Sequence, residues 1–254
     1  MKTPDSAFHL RISPAELGWL AGAFGLTRLA LPLPLPPPSE DELRQAQKSM
    51  NEGGLIRRNP GVGWQVERLA AFLVQWLGTA EQYTCLEIHS REQEPLLAGI
   101  YRRQELNLLI EFKQGQIECS FLPNEEALFA DIERCVDLAT VRAGEGEYSL
   151  PQPLPFIQMV WQDEGPAGRA LERAGLPVQR VKSTLAWLET LKSIAQFQFI
   201  CIDPQKHTGR GLYLCSHETG LWASDREPGQ PKSGLIHFSP CSLQKARARL
   251  QETL

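Results

Sequence analysis

The apolar positions along the chain follow two periods, and the change from one to the other divides it. In "ISPAELGWLAGAFGL", Leu17, Leu20, Ala21 and Phe24 recur at spacings of three and four, the stripe of a helix. Ser13 stands as its cap, Pro14 suits the first turn, and Glu16 completes a capping box. Ser39 and Glu42 repeat that box before "EDELRQAQKSMNE", a second predicted helix that stops at Gly53-Gly54. Between the two helices, Leu31–Pro38 is broken by proline and reads as an extended linker. Leu55-Ile56 is a short extended piece and "NPGVG" a turn. Trp64, Leu69, Phe72, Leu73, Trp76 and Leu77 then mark a third, amphipathic helix.

The period next falls to two. "YTCLEIH", "LLAGIYR", "LNLLIEFK" and "QIECSFL" read as strands, with Ile117, Cys119 and Phe121 on one face and Gln116, Glu118 and Ser120 on the other. Their short connections, "RQE" and "KQG" among them, imply an antiparallel meander. "PNEEALFADIERCVDL" returns to helix, with Leu128, Ile132, Cys135 and Val136 inward and Glu125-Glu126 favouring the dipole at its start. The Gly- and Pro-rich segment 143–155 reads as a linker.

The second half repeats this order. "LPFIQMVW" is ambiguous between strand and loop, "PAGRALERAG" is a short helix ending at Gly175, and "VKSTLAWLETLKSIAQ" is a longer helix. "FQFICID", "GLYLCSHE", "GLWAS" and "GLIHFS" are strands, and "PCSLQKARARLQETL" closes the chain as a helix. "CSFLPNEEALFADIER" occupies the same place in its half as "IHFSPCSLQKARAR" does in the other. The expected architecture is therefore α+β with two related, duplicated halves, 1–142 and 156–254, joined by the linker 143–155 within one compact domain.

Composition narrows the function. A formal net charge of -4 argues against a general nucleic-acid binder. The N-terminus lacks the apolar run of a signal peptide, and no stretch reaches the length of a transmembrane helix. Cys85, Cys119, Cys135, Cys201, Cys215 and Cys241 form no C-x-x-C pair, and most sit among apolar neighbours. They read as reduced thiols of a cytoplasmic protein.

Candidate chemistry concentrates in "QFICIDPQKHTGRGLYLCSHETG". Cys201, Cys215, His207 and His217 suggest a metal site or a Cys–His nucleophile, with His237 as a further base. The spacing C-x5-H-x7-C-x-H matches no structural zinc pattern, and a buried-thiol hairpin explains the same residues. "GRGLYL" lacks both a dinucleotide fingerprint and a P-loop lysine, and no H-E-x-x-H or G-x-S-x-G occurs. No catalytic residue, cofactor or metal is expected. "MNEGGLIRRNPGVGW" has the look of the hinge and wing of a winged helix, with Arg57 and Arg58 for phosphate. Against that, one helix stands where a pair is needed, and a helix is predicted where the wing strand should return.

Taken in order, the pieces resemble the EspG family of type VII (ESX) secretion chaperones. The carrying segments are "ISPAELGWLAGAFGLTRLALPLPL", "DELRQAQKSMNEGGLI" with "GWQVERLAAFLVQWLG", "CIDPQKHTGRGLYL", and "GLIHFSPCSLQKARARLQETL". The resemblance implies a cytosolic, non-enzymatic protein. It would have a central, mainly antiparallel sheet flanked by two helical bundles about a pseudo-twofold axis. It also implies another protein as partner, a helical secretion substrate whose aggregation-prone tip would be covered, with no membrane insertion. The charged turn Arg102–Glu105, with Arg102, Arg103 and Glu105, is then the candidate contact. The alternatives are a winged-helix-like DNA-binding regulator and a thiol- or metal-dependent enzyme.

Overall fold

A computed structural model describes residues 8–104, 106–136, 138, 142–151, 153–162, 167–202, 211–217, 220–226 and 235–253. Among them are twelve strands and eight helices. The chain divides into two units. The first comprises Met1–Tyr83, Leu97–Asn124 and Cys201–Lys206, the second Thr84–Leu96, Glu125–Ile200 and His207–Leu254.

In the first unit, α1 (Pro14–Ala23) and α2 (Glu40–Glu52) both begin at the capping boxes expected of Ser13 with Glu16 and Ser39 with Glu42. A strand not evident in the sequence, β1 (Phe8–Ile12), precedes them. The third helix starts later than its apolar stripe suggests. Trp64 lies in a strand, β3 (Gly63–Val66), which returns antiparallel to β2 (Ile56–Asn59). Helix α3 (Arg68–Thr79) begins only after Glu67, whose carboxylate accepts from Leu69 N at 2.7 Å and Ala70 N at 3.2 Å. Leu73, Val74, Trp76 and Leu77 form its buried face, and Phe72 and Trp76 meet Phe121 in an aromatic cluster.

The proline run is held at its start against the sheet. Ala30 N donates to Leu77 O at 2.9 Å, Tyr101 Oη donates to Ala30 O at 2.5 Å, and Tyr83 Oη donates to Leu31 O at 3.0 Å. A Cβ on Gly99 would stand 2.9 Å from Pro32 Cγ, so the missing side chain is what lets the proline approach. The segment read as a linker is a strap.

The four predicted strands of the first half are β4 (Gln82–Ser90), β5 (Leu96–Arg103), β6 (Leu106–Lys113) and β7 (Gln116–Leu122). Helix α4 (Glu125–Val136) follows, burying Leu128, Phe129, Ile132 and Val136 and leaving Cys135 half-buried. Within the Gly- and Pro-rich segment, β8 (Tyr148–Pro151) forms a strand, and "LPFIQMVW" is helix α5 (Pro153–Gln162). Pro153 and Pro155 fall in the first turn of α5, where a helix has no hydrogen-bond partner for the missing N–H.

Helix α6 (Ala167–Arg173) runs as expected. Helix α7 (Val178–Glu189) is shorter than expected, because "LKSIAQ" is the start of β9 (Leu191–Cys201). Thr190 ends the helix, its hydroxyl donating to Trp187 O at 2.9 Å and Ala186 O at 3.2 Å. Strands β10 (Gly211–His217), β11 (Gly220–Arg226) and β12 (Leu235–Pro240) and helix α8 (Leu243–Thr253) complete the chain.

Ten strands form one sheet in the order β1-β7-β6-β5-β4-β9-β10-β11-β12-β8. Outward from β4 come three consecutive strands and then β1. Outward from β9 come three consecutive strands and then β8, so the same strand order runs outward from each. In the first unit, α1 packs on α2 and α3. In the second, α5, α6 and α7 pack together around Leu154, Ile157, Leu171, Trp187 and Leu188, with Tyr213, Cys215, Trp222 and Phe238 from the strands.

Candidate functional site

The cysteine–histidine hairpin does not assemble a site among the described residues. Cys215 stands opposite Ile194 on β9 and Trp222 on β11, seven positions along β9 from Cys201. His207 lies outside the described residues. His217 packs edge-on to the Trp222 ring, and His237 Nδ1 is 2.7 Å from Ser149 Oγ across the β12–β8 ladder. No group of three or more metal-ligating side chains occurs among the described residues.

None of the six cysteines is in a disulfide, and for three of them burial runs against nucleophilic use. Burial pushes Cys215 well above its ordinary value and Cys119 up to about 12. Burial, with Glu87 nearby, raises Cys85 to about 11. A reactive thiol needs the opposite shift.

The β5–β6 turn differs in kind. Arg103 pairs with Leu106 and Arg102 with Asn107, so only residues 104 and 105 join the strands. Gln104 has φ 57°, the left-handed conformation of a tight two-residue hairpin. Arg102 and Arg103 are exposed, and Glu105 lies outside the described residues. Because cross-strand partners share a face, Arg103 and Leu106 lie on one side of the ribbon and Arg102 and Asn107 on the other.

Two residues here were not singled out from the sequence. Leu106 is 45% exposed, one of the few large apolar side chains in that state. Asn107 is 2% exposed, yet its Nδ2 has no hydrogen-bond partner among the described residues. A buried amide left without an acceptor costs about 1–3 kcal/mol, so it is uncommon away from a place that does something. Alternation placed Leu106 at the start of a strand but could not show that its face is bare.

The other end of β6 is a closed electrostatic unit. Buried Glu111 lies opposite Glu118, and Lys113 Nζ bridges them at 2.8 Å and 3.2 Å. Burial pulls the Lys113 ammonium down, but its bonds and attraction to the two carboxylates outweigh this and raise it.

The Arg57-Arg58 segment also differs from expectation. The returning strand thought to be missing is present as β3, so the ribbon of a wing exists. Helix α3 follows that ribbon instead of preceding it, which is not the helix order of a winged helix.

No helix among the described residues is long and apolar enough to cross a membrane. No family model matches the chain, and no curated protein matches it. Among solved structures, it is similar to the type VII secretion system chaperone EspG5 of Mycobacterium tuberculosis, determined in complex with the PE25–PPE41 dimer. The TM-score is 0.64 at 13% sequence identity, covering 97% of this chain and 95% of that chain. The likeness is one of fold: an α+β chain built on a large antiparallel sheet, as in that chaperone.

Proposed function

We propose that this chain is a non-enzymatic, cytoplasmic protein-binding module, a chaperone or adaptor for helical substrates of type VII secretion. The observation that carries the reading is the likeness, over 97% of this chain, to a chaperone solved in complex with the PE25–PPE41 dimer.

The β5–β6 turn is the contact in this reading. Arg103 beside exposed Leu106 offers a cation and an apolar side chain on one face, while Arg102 lies beside the unpartnered Asn107 amide on the other. Glu105 adds an acidic group between them in sequence. A helix tip answers this chemistry well, because its last carbonyls are acceptors without partners and its turns carry apolar side chains.

The test is co-expression with helical substrates of type VII secretion. The soluble yield of a substrate is expected to rise with the chain present. It should fall again when Leu106→Asp and Arg103→Glu are introduced together. Covering the exposed half of Leu106 is worth about 1 kcal/mol, and a desolvated ion pair at Arg103 adds a similar amount, so affinity should fall by more than tenfold. If no substrate depends on the chain for solubility, the reading fails.

A further inference from the structure

The β2–β3 ribbon is unlike the rest of the surface. It forms a two-stranded sheet separate from the ten-stranded one, and every residue from Arg57 to Gln65 is exposed. Two strands of four residues hold poorly by themselves in water. The ribbon is fixed at its base, where Ile56 is buried and Glu67 N donates to Leu55 O at 2.8 Å. It is fixed at its tip by Val62 N donating to Asn59 O at 3.2 Å, with Pro60 and Gly61 (φ 84°) in the middle positions of a type II turn.

The groups along the ribbon are ordered by chemistry. The tip, Pro60–Gly63, carries no charge, and Val62 is 85% exposed, the most exposed large apolar side chain among the described residues. One rung behind, Trp64 is 38% exposed and lies opposite Arg58. The next rung pairs Arg57 with Gln65. Neither arginine has an ion-pair partner among the described residues, and the sequence has no acidic residue between Glu52 and Glu67.

We infer that the β2–β3 ribbon is a peripheral contact for an anionic lipid surface, with Val62 entering the headgroup boundary and Arg57 and Arg58 meeting the phosphates. At about 3.4 Å per residue, the guanidiniums stand within roughly 10 Å of the tip, the depth to which interfacial segments bury their apolar side. At that level the Trp64 indole packs edge-on against Trp19 and keeps its exposed part where such rings prefer to lie, at the boundary between apolar and wet. A nucleic acid fits the order less well. Its affinity comes chiefly from neutralised phosphates, and two arginines on a chain of net charge -4 supply few of those contacts. In a bilayer the uncharged tip adds affinity of its own. This contact would be peripheral and concerns a different surface from the β5–β6 turn.

The test is co-sedimentation of the full chain with vesicles of equal parts phosphatidylcholine and phosphatidylglycerol, and with vesicles of phosphatidylcholine alone. Binding is expected to the anionic vesicles and not to the neutral ones, and to weaken with salt. Arg57→Ala with Arg58→Ala should lower the partition coefficient about 25-fold, at roughly fivefold for each charge. Val62→Asp should lower it about tenfold with both arginines intact. Circular dichroism and an unchanged urea midpoint would establish that the exposed substitutions leave the fold in place. Absence of binding to anionic vesicles at low salt overturns the inference. So does binding that Val62→Asp leaves unchanged, or salt-dependent binding to duplex DNA that needs the arginines and is indifferent to Val62.

Discussion

Replacing Gly220 by alanine puts the way the second unit closes on its own strands to a direct test. Residues 142–146 cross the start of β11 at close range. Leu221 N donates to Arg142 O at 2.8 Å, Gly144 N donates to Leu221 O at 3.1 Å, and Ala143 forms a parallel bridge with Leu221. A Cβ at position 220 would run into the Gly144 Cα, lie 2.8 Å from Gly144 N and stand 3.2 Å from the Trp222 ring. The obstacle is backbone, so no rotamer change relieves it. Moving the crossing segment away sacrifices two hydrogen bonds of about 1 kcal/mol each and adds about 1–3 kcal/mol of overpacking. We expect Gly220→Ala to cost about 3–5 kcal/mol, shifting the urea midpoint down by roughly 1–1.7 M at an m-value of about 3 kcal/mol/M. Tryptophan fluorescence reports the transition, since Trp187 and Trp222 both lie in this core. A midpoint within error of the wild type would show that the two glycines do not touch and that the crossing is drawn wrongly.

Four further outcomes follow from the geometry. Tyr101→Phe removes the hydroxyl that bonds Ala30 O and should cost about 1–2 kcal/mol in urea, with faster proteolysis at the proline strap. Lys113→Met removes the cation between Glu111 and Glu118 and should cost about 1–2 kcal/mol, a discounted figure because Lys113 is partly exposed. The Lys113 ammonium is raised above its ordinary value of 10.5, so its stabilisation is complete below that pH and is lost as the pH climbs past it. Urea midpoints should therefore fall above about pH 10.5 in the wild type, and Lys113→Met should blunt the fall. Cys119 and Cys215 should stay unlabelled by a thiol-disulfide reagent in the native protein at neutral pH and react on unfolding. Rapid native labelling of either would contradict their burial.

The sheet was legible because its strands alternate and its turns are short. "LNLLIEFK" and "QIECSFL" coincide with β6 and β7 to the residue. Both early capping boxes were equally plain, since Ser and Glu three apart satisfy each other's backbone donors. The misses have physical causes. Leu191, Ile194 and Ala195 sit at helical spacing after α7, so β9 was mistaken for its continuation until Thr190 showed where the helix ends. Trp64 lined up with the stripe of α3, although its ring packs on Trp19 from a strand. Prolines 153 and 155 fall at the end of the segment read as a linker, because their place in a first turn depends on where the helix starts. At the candidate contact, the arginines were evident from charge. The exposed Leu106 and the orphaned Asn107 amide emerge only from tertiary packing, which decides which face of a strand stays bare. The thiol and imidazole groups form a suggestive run in sequence, but register sets Cys215 of β10 opposite Ile194, seven positions along β9 from Cys201.

The central claim is that the chain works by holding another protein at the β5–β6 turn. Hydrogen–deuterium exchange on the purified chain, alone and with a helical substrate of type VII secretion that it keeps soluble, tests it most directly. The account predicts slowed exchange at the strand ends around Arg103 and Leu106 on complex formation, lost in the Leu106→Asp, Arg103→Glu variant. A stable complex that leaves this turn exchanging at its free rate would contradict it.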